Sequence, residues 1–360
     1  MISWGIIQTA LELGLIYALV ALALFLSYSM LNVCDLSTDG CYTLGCAVGS
    51  IVALSGHPVL AIFAAIFAGV LSGLITAFLQ TKMGVESLLA GIIVNTGLYS
   101  INIGIMGKST LSLNDTTTVF TVAKSLLADT FLADYYKLVV IFLFTVVVAV
   151  LLLLFLRTRL GLSIRATGNN PDMVRSSSIN PSRMVMIGLC ISGAITALAG
   201  CLIGEYNKTC DINMGTGMVT VALASLIIGE TLFGKKNLSW RAVGVIVGAC
   251  LYRILVGIAM RFQLPASALK LVSAIIVAVA ISYPTLMKLV DLKQKKLAAK
   301  GKNLYRIMTV TFFCGAVLFV ALAVVLSQFR PLFFLLTILS VIGTVWSALR
   351  DRKKGAAAVC

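Results

Sequence analysis

The segment 32–40, Asn-Val-Cys-Asp-Leu-Ser-Thr-Asp-Gly, places two carboxylates and three hydroxyl or amide groups between two closely spaced apolar runs. Because an acidic residue at membrane depth costs roughly 2.5–3.5 kcal/mol on insertion scales, such residues usually mark a pathway. A helix broken here would expose its backbone groups to a cavity. A polar turn at the membrane interface, with Asp39 and Gly40 capping the next helix, is an equal alternative. The first interpretation makes Asp35, Ser37 and Asp39 candidate pathway residues.

A second polar segment, 205–217, is rich in turn residues and contains Glu205, Asp211 and Asn213. It suits the outer mouth of a pathway, and equally a glycine-rich start of the next helix.

The segment 157–183 is polar and basic, and its composition predicts short helices broken at Gly168 and Pro171. A solvated loop is the plainer interpretation. A docking element for a partner subunit is the other, because the chain has no credible nucleotide site of its own. In the phosphate-loop-like stretch 229–236, Lys236 stands where a Ser or Thr must hold magnesium.

No motif predicts an enzyme. The sequence contains no GxSxG, HExxH or paired-carboxylate pattern, so we expect no catalytic residues. Its only histidine is His57, and none of its nine cysteines forms a CxxC pair. We therefore expect neither a metal site nor a cofactor.

Long apolar elements must position these segments. Of the 360 residues, 60% are hydrophobic and only 11% are charged, with a mean hydropathy of +1.05. A soluble domain has about 25% charged residues, so a soluble enzyme, a disordered chain and a disulfide-rich secreted module are excluded. The apolar runs lack strand-like alternation, which predicts an all-α polytopic transmembrane bundle. Eleven runs are candidate spans: 11–31, 41–56 (a short run), 58–80, 88–106, 138–156, 184–204, 217–233, 242–260, 266–287, 307–328 and 332–349.

Small-xxx-small spacing recurs within these runs and predicts tight helix packing. The pairs are Gly45/Gly49, Gly69/Gly73, Gly200/Gly204 and Gly244/Gly248.

The net charge of +15 comes from basic residues that lie between the apolar runs, which indicates membrane topology rather than nucleic-acid binding. Five segments hold 20 of the 28 Lys and Arg residues, and they fall on one side if the third to eleventh runs alternate across the membrane. We therefore place these segments in the cytoplasm: Lys82, 157–183, 235–241, 288–306 and the tail from Arg350. The C-terminus then lies inside, and the N-terminus lies outside if all eleven runs cross.

Five stretches occur in an order and at a spacing that resemble a known family: Tyr17-Ala-Leu, 35–45, 89–97, 161–171 and Ile227-Ile-Gly-Glu230. The family is that of the permease subunits of bacterial ABC importers, which includes branched-chain amino acid and ribose permeases. The resemblance covers roughly residues 5–287. Within the family, the stretches 35–40 and 211–217 resemble a subgroup often assigned to aromatic amino acids.

The resemblance implies a type II ABC importer permease-like fold with about nine core spans in 1–287. A basic cytoplasmic linker at 288–306 and a C-terminal pair of spans with a basic tail at 307–360 depart from the family's pattern. The implied location is the bacterial plasma membrane, and the implied substrate is a small solute such as an amino acid. The implied partners are a second permease copy, two cytoplasmic ATP-binding subunits and an extracytoplasmic binding protein.

The resemblance also assigns residues. Asn95 joins the pathway candidates, which are then Asp35, Ser37, Asp39, Asn95, Glu205, Asp211 and Asn213. The element that couples to the ATPase takes Arg165, Ala166, Thr167, Gly168, Asn169, Asn170 and Pro171.

An ion-coupled secondary transporter of small solutes is the alternative function, and it would use ionisable groups inside spans. Only Glu12, Glu230, Arg253 and Lys270 lie within or near the predicted spans, and no inverted repeat is evident. A channel would need a symmetric filter, which the sequence does not show. Dependence of transport on ATP or on an ion gradient separates the first two functions.

Overall fold

The computed structural model describes residues 4–114, 116–126, 135–234 and 237–260, and these residues are mostly helical. The helices are α1 (Trp4–Leu24), continued by a π-helical turn (Phe25–Met30), α2 (Thr38–Leu54), α3 (Pro58–Thr81), α4 (Ser87–Met106), α5 (Val119–Leu126), α6 (Tyr136–Arg157), α7 (Arg159–Asn169), α8 (Pro171–Ser176), α9 (Pro181–Asn207), α10 (Met218–Phe233) and α11 (Leu238–Met260). Two short strands, β1 (Thr110–Ser112) and β2 (Thr209–Asp211), join them.

Within the described residues, six helical stretches are long and apolar enough to cross a membrane, which confirms the predicted transmembrane bundle. They are Ile7–Met30, Pro58–Thr81, Ser87–Met106, Tyr136–Arg157, Pro181–Asn207 and Leu238–Gly257. Two apolar helices, α2 and α10, are shorter. The sequence predicts a full span at 217–233, but the 16 residues of α10 reach only about 24 Å, less than the hydrocarbon thickness of about 30 Å.

The remaining predicted spans, 266–287, 307–328 and 332–349, lie outside the described residues, as does the basic linker 288–306. The division of the chain at 287 and 306 therefore stays a prediction.

Helix α9 lies at the centre of the bundle, and most of its residues are buried. It packs against α2 and α3 through glycines. A Cβ at Gly45 of α2 would overlap the carbonyl oxygen of Ala197, and a Cβ at Gly69 of α3 would overlap that of Gly193. Such close approach of helix backbones confirms the tight packing that the small-xxx-small spacing predicts.

One end of the bundle, named here the basic end, holds the last residues of α6 and the first residues of α9 and α11, and the π-helical turn that continues α1 leads towards it. Helices α7 and α8 lie at this end, where a Cβ at Gly168 would overlap the carbonyl oxygen of Met30. Arg157 at the end of α6 donates a hydrogen bond to the hydroxyl of Ser239 at the start of α11 (2.9 Å). The structure therefore gathers at one end the arginine-rich segment 157–183 that the sequence places in the cytoplasm.

Helix α2 begins near the middle of α9. At its start, the Cys41 thiol donates to the carbonyl oxygen of Gly193 (3.4 Å). Gly193 lies about 18 Å from the first residue of α9, a helix that is about 40 Å long. From this level α2 follows α9 towards its C-terminal end, because Gly45 meets Ala197 and Gly49 meets Cys201.

Helix α10 begins beside the first turn of α2 and runs the other way, towards the basic end. Gly215, just before α10, lies so close to the carbonyl oxygen of Asp39 that a Cβ there would overlap it. Near the last turn of α10, Glu230 accepts a hydrogen bond from Ser29 in the π-helical turn (2.8 Å). Helices α2 and α10 are therefore two half-helices whose N-termini meet at about mid-depth.

At the opposite end, the segments that follow α4 and α9 pair with each other. β1 and β2 form an antiparallel ladder that aligns Thr110 with Asp211 and Ser112 with Thr209. The short polar runs carry no clear alternation, so the hydrophobic pattern alone does not reveal this pairing.

Replacing Gly45 by Ala is expected to destabilise the bundle by about 1–3 kcal/mol, because the new methyl group overpacks the α2–α9 contact. The measurement is the midpoint of thermal unfolding of the purified protein in detergent. Gly97→Ala is the matched control, since Gly97 lies within α4 and a Cβ there has open space. Equal midpoints for the two variants would contradict the role of this contact.

Candidate functional site

A polar cavity of about 300 Å³ lies where the two half-helices meet, between α2, α4 and the segment that precedes α10. Asp39, Gly40, Thr43, Asn95, Thr96, Tyr99, Asn102, Ile212, Asn213 and Thr216 line it. Of the predicted pathway residues, the structure brings together Asp39, Asn95 and Asn213 in this lining.

Asp39 joins the two half-helices. Its two carboxylate oxygens accept hydrogen bonds from the backbone N–H groups of Gly217 and Val219, each at 2.9 Å. These are among the first N–H groups of α10, which have no partner within the helix. A carboxylate at this position also lies at the positive end of the helix dipole. Asp39 therefore caps a helix, but the helix is α10 rather than α2, on which Asp39 itself lies.

Thr43 adds a second tie one turn further along α2. Its hydroxyl oxygen accepts a hydrogen bond from the Gly215 N–H group (3.2 Å), and the hydroxyl donates to the carbonyl oxygen of Asp39 (3.2 Å). Residues 215–219 are therefore held against the first turns of α2 by both side chains. These hydrogen bonds hold in place the segment that forms one wall of the cavity.

The α4 wall of the cavity is a stripe of polar and aromatic side chains at helical spacing. Asn95, Tyr99 and Asn102 follow one another at i, i+4 and i+7 and so share one face of α4. The side-chain amide of Asn102 donates to the carbonyl oxygen of Gly40 (3.2 Å). Its own carbonyl oxygen is buried without a hydrogen-bond partner among the described residues. Asn102 thus offers an unused acceptor at the cavity wall.

Asn102, Thr43 and Thr216 are cavity residues that the sequence interpretation missed. The signal for Asn102 was present, because it lies seven residues after Asn95 on an otherwise apolar helix. No comparable signal exists for Thr43 and Thr216, whose meeting depends on the break of two separate helices.

The lining can form hydrogen bonds in both directions. Amide and hydroxyl groups predominate, and the lining contributed by the described residues contains no Lys, Arg or His. The carboxylate of Asp39, the one carboxylate among these lining residues, is already bonded to two backbone N–H groups. Such a site suits a neutral or zwitterionic polar solute better than a net anion or cation.

Asp35 and Ser37 lie outside the cavity lining. One carboxylate oxygen of Asp35 accepts hydrogen bonds from the N–H (2.9 Å) and hydroxyl (2.6 Å) groups of Ser37. The hydroxyl of Thr76 in α3 donates to that of Ser37 (3.1 Å). Asp35 is 4% exposed. Its carboxylate therefore organises the turn that leads into α2.

Glu205 and Asp211 lie nearer the end opposite the basic end, outside the cavity lining. Glu205 is buried and accepts a hydrogen bond from the N–H group of Val119, the first residue of α5 (2.7 Å). Asp211 accepts from the Thr110 hydroxyl (2.9 Å) and from the Asn213 N–H group (2.8 Å). Both carboxylates thus fasten segments at that end, and Asp211 does so beside the cavity residue Asn213.

The predicted coupling residues form a helix–turn–helix at the basic end, with the break between α7 and α8. Asn170 accepts hydrogen bonds on its side-chain oxygen from the N–H groups of Asp172 and Met173, each at 3.1 Å, and so caps α8. Pro171 is the first residue of α8, a position that tolerates its missing N–H group. The predicted break at Pro171 is therefore observed, whereas Gly168 lies within α7.

The coupling residues divide into packed and accessible ones. Thr167 is buried, and its hydroxyl donates to the carbonyl oxygen of Ser163 (2.7 Å). Arg165 and Ala166 are half-buried, as is Gly168, which packs on Met30. The accessible residues are Asn169, Asn170 and Pro171.

Replacing Asp39 by Ala is expected to destabilise the protein by about 0.5–2 kcal/mol, because two N–H groups of α10 lose their acceptor. Asp39→Asn should have a smaller effect, since it keeps one of the two acceptor oxygens. The thermal unfolding midpoint in detergent measures both changes.

Asp211→Ala is the control for the Asp39 variants, because its carboxylate bonds only to groups near the exposed ladder. An equal loss of stability in Asp39→Ala and Asp211→Ala would refute the capping role of Asp39.

Comparison with known proteins places this sequence in a family. The family model described as branched-chain amino acid transport system / permease component matches residues 6–282. No solved structure matches the chain.

Individual relatives agree with the family match. The chain is 33% identical over 274 residues to a tyrosine transport system permease protein of Clostridioides difficile, a match that covers 76% of this chain and 89% of the relative. It is 33% identical to the uncharacterized protein RP368 of Rickettsia prowazekii, covering 77% and 97% of the two chains. The ribose import permease protein RbsC of Escherichia coli is 24% identical, with 68% and 76% covered. Since the family model covers most of its length, this chain belongs to the branched-chain amino acid transport permease family and is a multi-pass permease component of ABC-type transport systems for small solutes in the bacterial plasma membrane.

Proposed function

We propose that this chain is the permease subunit of an ATP-driven importer and that the polar cavity is part of its translocation pathway. The observation that carries the proposal is the meeting of two half-helix N-termini at a polar cavity near mid-depth. Broken helices of this kind are where membrane transporters bind their solutes, because the free backbone groups line a cavity instead of facing lipid.

The proposed solute is an amino acid, as the chemistry of the lining supports. A zwitterionic amino acid is neutral overall, and its charged groups can bond to amide and hydroxyl side chains such as those of Asn95 and Thr96. Tyr99 adds an exposed aromatic ring at the same wall, which favours an aromatic side chain on the solute. The relative named as a tyrosine transport permease agrees with this solute class.

A second permease copy completes the proposed pathway. In the single chain, Thr96, Tyr99, Asn213 and Thr216 form an exposed polar rim of the cavity. Hydrocarbon offers no hydrogen bonds to such groups. We infer that a second copy covers this rim, so that the solute passes between protein surfaces.

Helices α7 and α8 are the proposed docking element for the cytoplasmic ATP-binding subunits. They expose Leu162 (53%) and Met173 (60%) beside Arg175 at the basic end. Large exposed apolar side chains next to basic ones are typical of an interaction surface. The solute is delivered from the other side of the membrane by an extracytoplasmic binding protein.

The transport test uses the permease reconstituted in proteoliposomes with its ATP-binding subunits and loaded binding protein. Uptake of radiolabelled tyrosine should require ATP on the side of the membrane that carries the ATP-binding subunits. It should persist when ion gradients are collapsed. Asn95→Leu should lower the uptake rate at least tenfold, because the similarly shaped side chain cannot bond to the solute.

Ser100→Leu is the matched control for Asn95→Leu, since Ser100 is exposed on the same helix but outside the cavity lining. Uptake driven by an ion gradient without ATP would instead establish the secondary-transporter alternative. Equal uptake rates in the two variants would remove the cavity from the pathway.

The docking test replaces Met173 by Asp or Arg165 by Glu. Each change places a negative charge on the proposed α7–α8 surface, so the ATP-binding subunits should co-purify in at least fivefold lower yield. Ser176→Asp is the control, because it places the same charge on an exposed α8 residue three positions after Met173 that offers no apolar surface.

Quantitative immunoblotting of the purified complex measures the amount of ATP-binding subunit per amount of permease. Full co-purification in both Met173→Asp and Arg165→Glu would reject the docking role of this element.

A further inference from the structure

A buried charge cluster joins three helices near the basic end. The Arg241 guanidinium of α11 donates hydrogen bonds to the carboxylate of Glu230 in α10 and to the hydroxyl of Ser29 in the π-helical turn. The Ser29 hydroxyl itself donates to the same Glu230 oxygen (2.8 Å). The side chains of Arg241 and Glu230 are only 16% and 8% exposed. The guanidinium also lies 5.2 Å from the ring centre of Phe25, within the range of a cation–π contact.

Both charges lie at the unfavourable ends of their own helices. Glu230 is in the last turn of α10, where the helix dipole is negative, and Arg241 is in the first turn of α11, where it is positive. Neither residue therefore stabilises its helix through the dipole. Their placement is favourable because Glu230 and Arg241 pair with each other and with Ser29, and this pairing ties α10, α11 and the π-helical turn together.

The π-helical turn connects this cluster to the coupling element. Widened turns of this kind are found mostly as single turns, frequently at functional sites. Gly168 of α7 packs on the carbonyl oxygen of Met30 and on Leu31 without room for a Cβ. Met30 is the residue next to Ser29. Because this contact leaves no free space, a displacement of α7 must also move Met30, the last residue of the π-helical turn.

The other end of α10 is fixed at the cavity. Asp39 accepts hydrogen bonds from the Gly217 and Val219 N–H groups, and α10 is a continuous helix of 16 residues between this point and Phe233. Contacts consequently run without a gap from α7 through Met30, Ser29 and Glu230 along α10 to the cavity.

We propose that Ser29, Glu230 and Arg241 form the junction through which movement of the α7–α8 element is passed to α10 and so to the solute cavity. The three are positioning residues, since none of them lines the cavity. The proposal rests on the proposed importer function. It adds the route by which movement driven by ATP hydrolysis is passed to the solute cavity.

The test measures coupling in the reconstituted complex with ATP-binding subunits and loaded binding protein. Glu230→Gln and the neutral double variant Glu230→Gln/Arg241→Gln should assemble with the ATPase and keep its basal hydrolysis rate. The number of solute molecules taken up per ATP hydrolysed should fall at least fivefold in both. The double variant removes both charges of this ion pair, so it keeps the test valid if the single variant, which takes the Glu230 charge away from Arg241, assembles poorly.

Ser239→Ala is the matched control. It removes a different hydrogen bond at the same end of α11, the one from Arg157 of α6, and leaves α10 untouched. Its uptake per ATP should equal that of the wild type. A role confined to stability would lower the yield of complex but not this ratio.

The outcomes separate the two proposals. If the wild-type complex shows no ATP-dependent uptake, the importer function fails, and the junction fails with it. If the wild type transports but the double variant keeps the wild-type ratio, the junction alone is overturned.

Discussion

The capping of α10 by Asp39 is the interaction on which the centre of this protein depends. A helix that starts at mid-depth leaves its first N–H groups without intrahelical partners, where hydrocarbon cannot satisfy them. Asp39 satisfies two of them, and Thr43 satisfies that of Gly215. These acceptors stabilise the start of α10 at this level. The cavity exists because both helices are broken there.

Close packing by glycine makes this arrangement rigid. Lipid chains are as apolar as the helix surfaces, so helix association in a membrane relies on shape and close backbone approach. Gly45 and Gly200 bring α2 onto α9, and Gly229 and Gly248 bring α10 and α11 together in the same way. Each half-helix is thus held along its whole length by a long neighbour. The close glycine contacts therefore set the distance between the polar ends that face the cavity.

Much of this architecture could be predicted from the sequence, because long apolar runs and their glycine spacing are local signals. The resemblance in several ordered motifs likewise indicated the family. The roles of the two acids in 32–40 could not be separated. Asp35 and Asp39 are four residues apart, a spacing that shares one face only within a helix. Asp35 precedes the first residue of α2, whereas Asp39 lies within this helix. The Asp35 carboxylate therefore bonds to Ser37, and the Asp39 carboxylate bonds to the start of α10. The start of α10 and the β1–β2 ladder depend on contacts between distant segments, which no local pattern encodes.

The two ends of α10 are held by different kinds of interaction, and this difference sets the direction in which movement passes along the helix. At the cavity end, the Asp39 carboxylate and the helix dipole attract each other, so the contact is favourable in itself. At the basic end, Glu230 opposes the dipole and depends on Arg241 and Ser29. A force applied near α7 acts first on the end whose fastening depends on a partner. Movement passed along α10 from this end therefore arrives at Asp39, beside the residues that shape the solute site.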